Sequence, residues 1–282
     1  MEPRQKSFLG LSPAGFHRVA YAEWGDPQAA RTIVCCHGLT RNGRDFDALA
    51  KELAKSARVI CPDIVGRGRS EWLRDPAHYG YPQYCADMAA LIARLDVTEL
   101  DWVGTSMGGL IGMTLAAQAG SPIRRLVIND VGPFVPKAAL LRIADYVGLD
   151  NRFSSLTSLE THLKKVLAPF GPLTDAQWQH LVAYGHRRRD DGTFGLAYDP
   201  AIAENVKKAV QDWDLWALWD RISIPTLLLR GGDSDLLLPQ TADEMTRRGP
   251  RAKLVTFPGM GHAPALMAPD QISVIEAWLT AS

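Results

Sequence analysis

Gly104-Thr105-Ser106-Met107-Gly108 is the segment whose residue types and spacing speak most directly of chemistry. A serine with glycines two positions to either side matches a nucleophile elbow, a sharp strand-to-helix turn that leaves no room for neighbouring side chains. Residues 100–103 read as a strand and 110–119 as a helix, so the turn has the context it requires. The serine hydroxyl of such a turn stands beside a helix N-terminus, whose positive end favours a developing negative oxygen. A hydroxyl is a weak nucleophile until a base takes its proton. Gly261-His262-Ala263-Pro264 offers that base in a short loop after the last predicted strand, 254–257. A neutral imidazole can remove the proton and later hand it to the leaving group. His17, His78, His162, His180 and His186 lie on other elements and read as surface or local structural groups.

The imidazole needs a carboxylate to fix its tautomer, and three aspartates are placed to serve. Asp233 and Asp235 follow the strand 226–229 in Gly232-Asp233-Ser234-Asp235, and Asp130 closes the strand 126–128 in Ile128-Asn129-Asp130. All three keep the chain order Ser, Asp, His, and the residue pattern leaves the choice open. The loop after strand 32–36 opens with His37-Gly38 and runs on through Leu39-Thr40-Arg41. In an elbow-based site that loop and the residue after the nucleophile supply the oxyanion hole. The backbone N–H groups of Leu39 and Met107 are the expected donors, with His37 holding the loop by hydrogen bonds.

Other conspicuous segments read as scaffold. Asp63-Ile64-Val65-Gly66-Arg67-Gly68-Arg69-Ser70 is glycine-rich after a strand, but it lacks the third glycine of a dinucleotide fingerprint and the Lys-Ser/Thr of a P-loop. It reads as a tight structural loop near the site. Arg187-Arg188-Arg189 reads as a solvated charge run ending a helix. Neither HExxH nor paired Cys/His spacing is present, so no metal and no cofactor is expected.

The elements that must position these groups alternate in the first half of the chain. After an opening pair of strands, 7–11 and 16–24, strands at 32–36, 58–61, 100–103 and 126–128 are separated by helical patterns at 46–55, 84–95 and 110–119. Such alternation argues for a mostly parallel sheet with helices on both faces. The rhythm stops after Asp130. Residues 133–220 show helical spacing at 138–147, 156–167, 175–188 and 201–216, no clear strand, and four of the eight tryptophans: Trp178, Trp213, Trp216 and Trp219. Strand and helix then alternate again through 226–229, 241–248, 254–257 and 272–279. A core of residues 1–132 and 221–282 interrupted by a helical lid at 133–220 is the expected domain organisation.

Bulk composition narrows the partners. The 282 residues carry 31 basic and 31 acidic side chains, giving zero formal charge. Nothing in that balance steers the chain to nucleic acid or anionic lipid, and a neutral or weakly charged small molecule is the expected substrate. The N-terminal residues contain no apolar run of signal-peptide length, and no stretch reaches the roughly 18 apolar residues of a membrane span. Cys35, Cys36, Cys61 and Cys85 form no CxxC pair and read as small buried hydrophobes of a cytoplasmic protein. The oligomeric state is not legible.

Taken together, His37-Gly38, the Asp63…Ser70 loop, the Ser106 elbow, Gly232-x-x-Asp235-x-x-x-Pro239 and Gly261-His262 resemble the α/β-hydrolase superfamily along essentially the whole chain. The resemblance implies an α/β-hydrolase fold with an eight-stranded, mostly parallel sheet and a helical cap inserted after the sixth strand. It also makes Asp235 the preferred acid, since the family pattern sets the acid three residues after a glycine and four before a proline. The expected triad is then Ser106, Asp235 and His262. Serine at position 106 speaks against epoxide hydrolases and haloalkane dehalogenases, which use aspartate there, and against dienelactone hydrolases, which use cysteine. The implied activity is serine-dependent cleavage of a small to medium, largely apolar carboxylic ester. A carbon–carbon bond hydrolase, a lactonase or a non-catalytic receptor on the same scaffold are the alternatives.

Overall fold

The computed structural model describes residues 1–281. Six strands of the main sheet come from the first half: β1 (Arg4–Ser12), β2 (Gly15–Trp24), β3 (Thr32–Cys36), β4 (Arg58–Pro62), β5 (Leu100–Thr105) and β6 (Ile123–Asn129). Helices α1 (Asp47–Leu53), α2 (Tyr81–Leu95) and α3 (Met107–Ala116) connect the later ones. The segment after β6 contributes β7 (Phe134–Val135), α4 (Lys137–Tyr146), α5 (Leu156–Val166), α6 (Asp175–Tyr184), β8 (His186–Arg188), β9 (Phe194–Leu196), α7 (Ile202–Lys208), β10 (Trp213–Asp214) and α8 (Trp216–Trp219). The chain returns to the sheet with β11 (Thr226–Gly231), α9 (Pro239–Met245), β12 (Lys253–Phe257) and α10 (Pro269–Thr280).

The eight sheet strands lie in the order β1-β2-β4-β3-β5-β6-β11-β12. The β1–β2 and β2–β4 pairs are antiparallel, and every other pair is parallel. The expected fold, an eight-stranded and mostly parallel α/β-hydrolase sheet, is the one observed. Strand period explains how both faces are filled. In β3, Val34 and Cys36 join the core against α2 and α3, while Ile33 and Cys35 point to the opposite core against α1 and α10. In β11, Leu228 takes the first face and Leu227 and Leu229 the second.

The insertion between β6 and β11 differs in detail from the expectation. Helices occupy most of it, but four short strands make two small antiparallel pairs, β7 with β10 and β8 with β9. Strands of two or three residues are too short to display a period of two, so helical spacing nearby masks them. Arg187 and Arg188 thus lie on β8 rather than at a helix end. The insertion carries its own apolar cluster, with Leu159, Leu163, Trp178 and Leu181 between α5 and α6. Among the described residues no helix is long and apolar enough to cross a membrane.

Candidate active site

The elbow is set by the backbone of Ser106 and by close approaches at its two flanking glycines. β5 ends at Thr105, and α3 starts at Met107, three residues earlier than its apolar spacing implied. Ser106 between them has φ 51° and ψ −115°, a region that costs a non-glycine residue on the order of 1–3 kcal/mol. A Cβ on Gly104 would lie 2.2 Å from the carbonyl oxygen of Gly108, and one on Gly108 would lie 2.0 Å from that of Cys36. Glycine at both positions lets β3, β5 and α3 close around the serine.

His262 sits in the loop after β12 with both ring nitrogens engaged. Its Nε2 is 2.9 Å from Ser106 Oγ, and its Nδ1 is 2.8 Å from Oδ2 of Asp130. The carboxylate facing the histidine is therefore Asp130, and the expectation of Asp235 is corrected. Asp235 is half exposed on the rim, where both its oxygens accept from Nε and Nη2 of Arg142 on α4. Asp233 is also exposed. The physical reason is where each side chain can point. Asp130 has φ 58°, a left-handed conformation that aspartate tolerates, and it is fully buried at the end of β6.

Asp130 is held by more than the imidazole. Its Oδ1 accepts the backbone N–H of Gly231 at 2.8 Å, and its Oδ2 accepts the hydroxyl of Ser234 at 2.6 Å. Ser234 also accepts from the N–H groups of Leu236 and Leu237, at 3.3 and 3.1 Å. The buried residue of the Gly232–Asp235 turn is thus the serine, a group that sequence reasoning missed. Asn129 adds a brace: its amide donates to the Pro264 carbonyl at 2.8 Å and to Thr105 Oγ1 at 3.1 Å, tying the histidine loop to the elbow.

The loop after β3 is pinned from two sides. His37 Nδ1 donates to the Gly38 carbonyl at 2.7 Å, and Nε2 accepts the N–H of Ile64 at 2.9 Å. That tautomer is neutral, and burial pulls the imidazole down to about 4. Arg67, fully buried, donates from Nε to the carbonyl of Leu39 at 2.9 Å and from Nη1 to that of Val65 at 2.8 Å. Its guanidinium also lies over the ring of Tyr84. Leu39 lies beside Ser106 on the cavity wall. Met107 is the first residue of α3, where a backbone N–H has no acceptor within the helix.

Two cavities meet at Ser106, and Leu39 and Ile143 also line both. The first is walled by His262, Arg41, Asp45, Arg142, Tyr146 and Phe170 among others. The second is apolar: Met107, Leu110, Val131, Leu140, Val206 and Trp213 are typical of its wall. Both are roofed by residues of the insertion. Of its four tryptophans only Trp213 faces a cavity; Trp178 and Trp219 are core, and Trp216 packs against Arg248.

The comparisons with known proteins agree with this geometry at the level of family. Residues 31–269 match the model of the alpha/beta hydrolase fold. The chain is 46% identical to a 3-hydroxybutyrate-oligomer hydrolase of Cupriavidus necator, covering 99% of this chain and 98% of that protein. Among solved structures, a putative hydrolase from Rickettsia typhi superposes with a TM-score of 0.91 at 35% identity, covering 99% of both chains. An alpha/beta hydrolase from Novosphingobium aromaticivorans gives 0.88 at 37%, covering 99% of this chain and 98% of that one.

Proposed function

This chain belongs to the α/β-hydrolase family, and on that premise we propose that it hydrolyses carboxylic esters through an acyl-enzyme on Ser106, with short oligomers of 3-hydroxybutyrate as substrates. The observation that carries the reading is the unbroken hydrogen-bonded series from Ser106 Oγ through His262 to buried Asp130. The oligomer as substrate is supported by the 46% identity to a hydrolase of that name over nearly the full length of both chains.

In this mechanism Ser106 Oγ attacks the ester carbonyl carbon as His262 Nε2 takes its proton. The tetrahedral oxyanion accepts hydrogen bonds from the backbone N–H groups of Leu39 and Met107. Its collapse breaks the C–O bond, and the imidazolium returns the proton to the departing alkoxide oxygen. Asp130 accepts the Nδ1–H of His262 and so holds the ring in the tautomer that leaves Nε2 free to take the proton. Water then enters, gives a proton to Nε2, and attacks the acyl carbon; release of the carboxylic acid restores Ser106. The insertion acts as a cap that walls both cavities against bulk water.

The direct test is fluorophosphonate labelling, with turnover of p-nitrophenyl butyrate and of 3-hydroxybutyrate trimer followed by chromatography. A label on Ser106, hydrolysis of both compounds, and loss of label and turnover in Ser106→Ala are expected. Labelling with ester turnover but an intact trimer would remove the oligomer as substrate. Labelling without any ester turnover would move the reading to carbon–carbon bonds or lactones.

A further inference from the structure

The two cavities differ in charge and in their relation to His262, and together these differences orient a substrate. The proton lost by Ser106 must reach the leaving oxygen from His262 Nε2. The leaving group therefore lies on the side of Ser106 that His262 lines. His262, Ala263 and Pro264 line the first cavity and are not on the wall of the second. The alcohol half of the ester then occupies the first cavity, and the acyl half occupies the apolar one beside Met107.

The apolar cavity has no charged side chain on its wall. The Asn205 amide donates to the carbonyls of Pro76, Ala77 and Tyr79 and the Tyr79 hydroxyl donates to Asp199, and the other side-chain polar groups on this wall, the hydroxyls of Tyr81, Tyr84 and Ser106, carry no positive charge. A carboxylate there would lose its water without gaining a counter-charge. The first cavity carries Arg41, Asp45 and Arg142. Arg41 spends Nε and Nη2 on Asp45, at 2.7 Å each, so that pair is neutral within the wall. Arg142 also holds a carboxylate, but Asp235 is half exposed on the rim and is not part of this wall. Two of its nitrogens, Nε and Nη2, hold Asp235, which fixes the guanidinium plane while Nη1 is left uncommitted to that carboxylate. Tyr146, one turn further along α4, lines the same cavity.

We propose that Arg142 is a specificity residue that binds a free carboxylate on the leaving-group side of the ester, with Asp235 as its positioning partner. This deepens the ester-hydrolase reading and rests on it. In a 3-hydroxybutyrate oligomer the acyl side of any ester ends in a hydroxyl and the alcohol side ends in the free carboxylate. Such a chain is accepted in one direction, with its carboxyl end toward Arg142, and is shortened from that end.

The test uses 3-butyryloxybutyrate and its primary carboxamide, which differ only in the leaving-group charge. In the wild-type protein kcat/KM for the acid should exceed that for the amide by about tenfold, mainly through KM, as one charge-assisted contact in a half-exposed site allows. In Arg142→Gln the ratio should fall to near one, and Arg142→Lys should restore part of it. The ratio is internal to each variant, so a folding defect that lowers both rates does not alter it. Moving the carboxylate to the acyl side should reverse the preference: monobutyl succinate should be a poorer substrate than butyl pentanoate. A wild-type ratio near one, a ratio unchanged in Arg142→Gln, or faster cleavage of monobutyl succinate would overturn the proposal. Failure of the oligomer reading shows separately, as an intact 3-hydroxybutyrate trimer beside a preserved acid-to-amide ratio. Failure of the serine reading shows as turnover surviving in Ser106→Ala.

Discussion

Asp130 and Asp235 are both carboxylates at the end of a sheet strand, and backbone direction separates their roles. Strands β6 and β11 are neighbours, so a carboxylate at either end can reach the same imidazole nitrogen. The sequence therefore offers three candidate acids after two neighbouring strands, and the structure sets Asp130 rather than Asp235 against His262. Ser106 and His262 were legible because the first is marked by two glycines that the turn demands and the second by its place after the last strand. Leu39 was legible only as a position in the loop after β3, and Met107 only as the residue that follows Ser106. Ser234 was not, because a hydroxyl serving a buried carboxylate has no sequence signature of its own. Asp130→Asn should lower kcat for p-nitrophenyl butyrate on the order of 10⁴-fold, the scale seen when a triad acid loses the power to fix its histidine. Asp235→Asn should lower it by less than about tenfold. Equal losses in the two variants, measured by steady-state kinetics on folded protein, would return Asp235 to the triad. Ser234→Ala should reduce kcat by roughly 3–30-fold at unchanged KM, as one donor to the buried Asp130 is removed. A far-UV circular dichroism spectrum of the variant that matches the wild type would separate this from loss of the fold.

At the scale of elements, the central strands were legible from their β-branched apolar runs, and the helices beside them from period. The short strands of the insertion were not, for want of length. One buried charge that no periodicity reveals ties three strands at the antiparallel end of the sheet. Glu23 on β2 is fully buried and pairs with Arg4 and Lys6 on β1 and with Arg58 on β4. Burial pushes its carboxyl up, but hydrogen bonds and charge from Lys6 and Arg58 outweigh that and leave it below its ordinary 4.5. A depressed carboxyl stabilises the fold above its unfolded value and loses that contribution as pH falls through the lower, folded one. Glu23→Gln should accordingly destabilise the protein by about 2–4 kcal/mol near pH 7, since three cations lose their counter-charge. The gap between wild type and variant should close as pH drops below about 4.5. Urea titrations of both proteins at pH 7 and at about pH 3 measure this, and a gap that widens in acid would contradict the assignment.

At the scale of the whole molecule, the question is whether the insertion opens to admit substrate or stays seated. Its contacts with the core are apolar beneath, where Leu140, Ile143, Ile202 and Trp219 share one buried cluster with α2 and α3, and polar around its perimeter. The Asp63–Ser70 loop binds it through Gly68 N–H to the Ala197 carbonyl and Asp199 N–H to the Gly66 carbonyl, both 2.8 Å. Tyr79 donates to the Asp199 carboxylate at 2.7 Å, Asn42 donates to the Tyr184 carbonyl at 2.8 Å, and Gly261 N–H donates to the Pro169 carbonyl at 2.8 Å. Lifting the insertion would break these together and expose the apolar wall beneath it. Its most exposed apolar side chains, Leu141, Leu149 and Leu156, belong to separate segments rather than to one sustained apolar run. A lid opened by a lipid surface would need such a run to insert. The glycine-rich loop after β4, read from sequence as scaffold, is tied to the insertion by its backbone bonds at Gly66 and Gly68. Hydrolysis of tributyrin should therefore rise hyperbolically with concentration and show no upward jump as the substrate passes its solubility limit. A severalfold jump at that limit, measured by pH-stat titration, would mean that the insertion opens at an interface despite its clamps. Asp199→Ala, which removes the acceptor of Tyr79, should loosen the clamp and raise KM for short esters more than it lowers kcat.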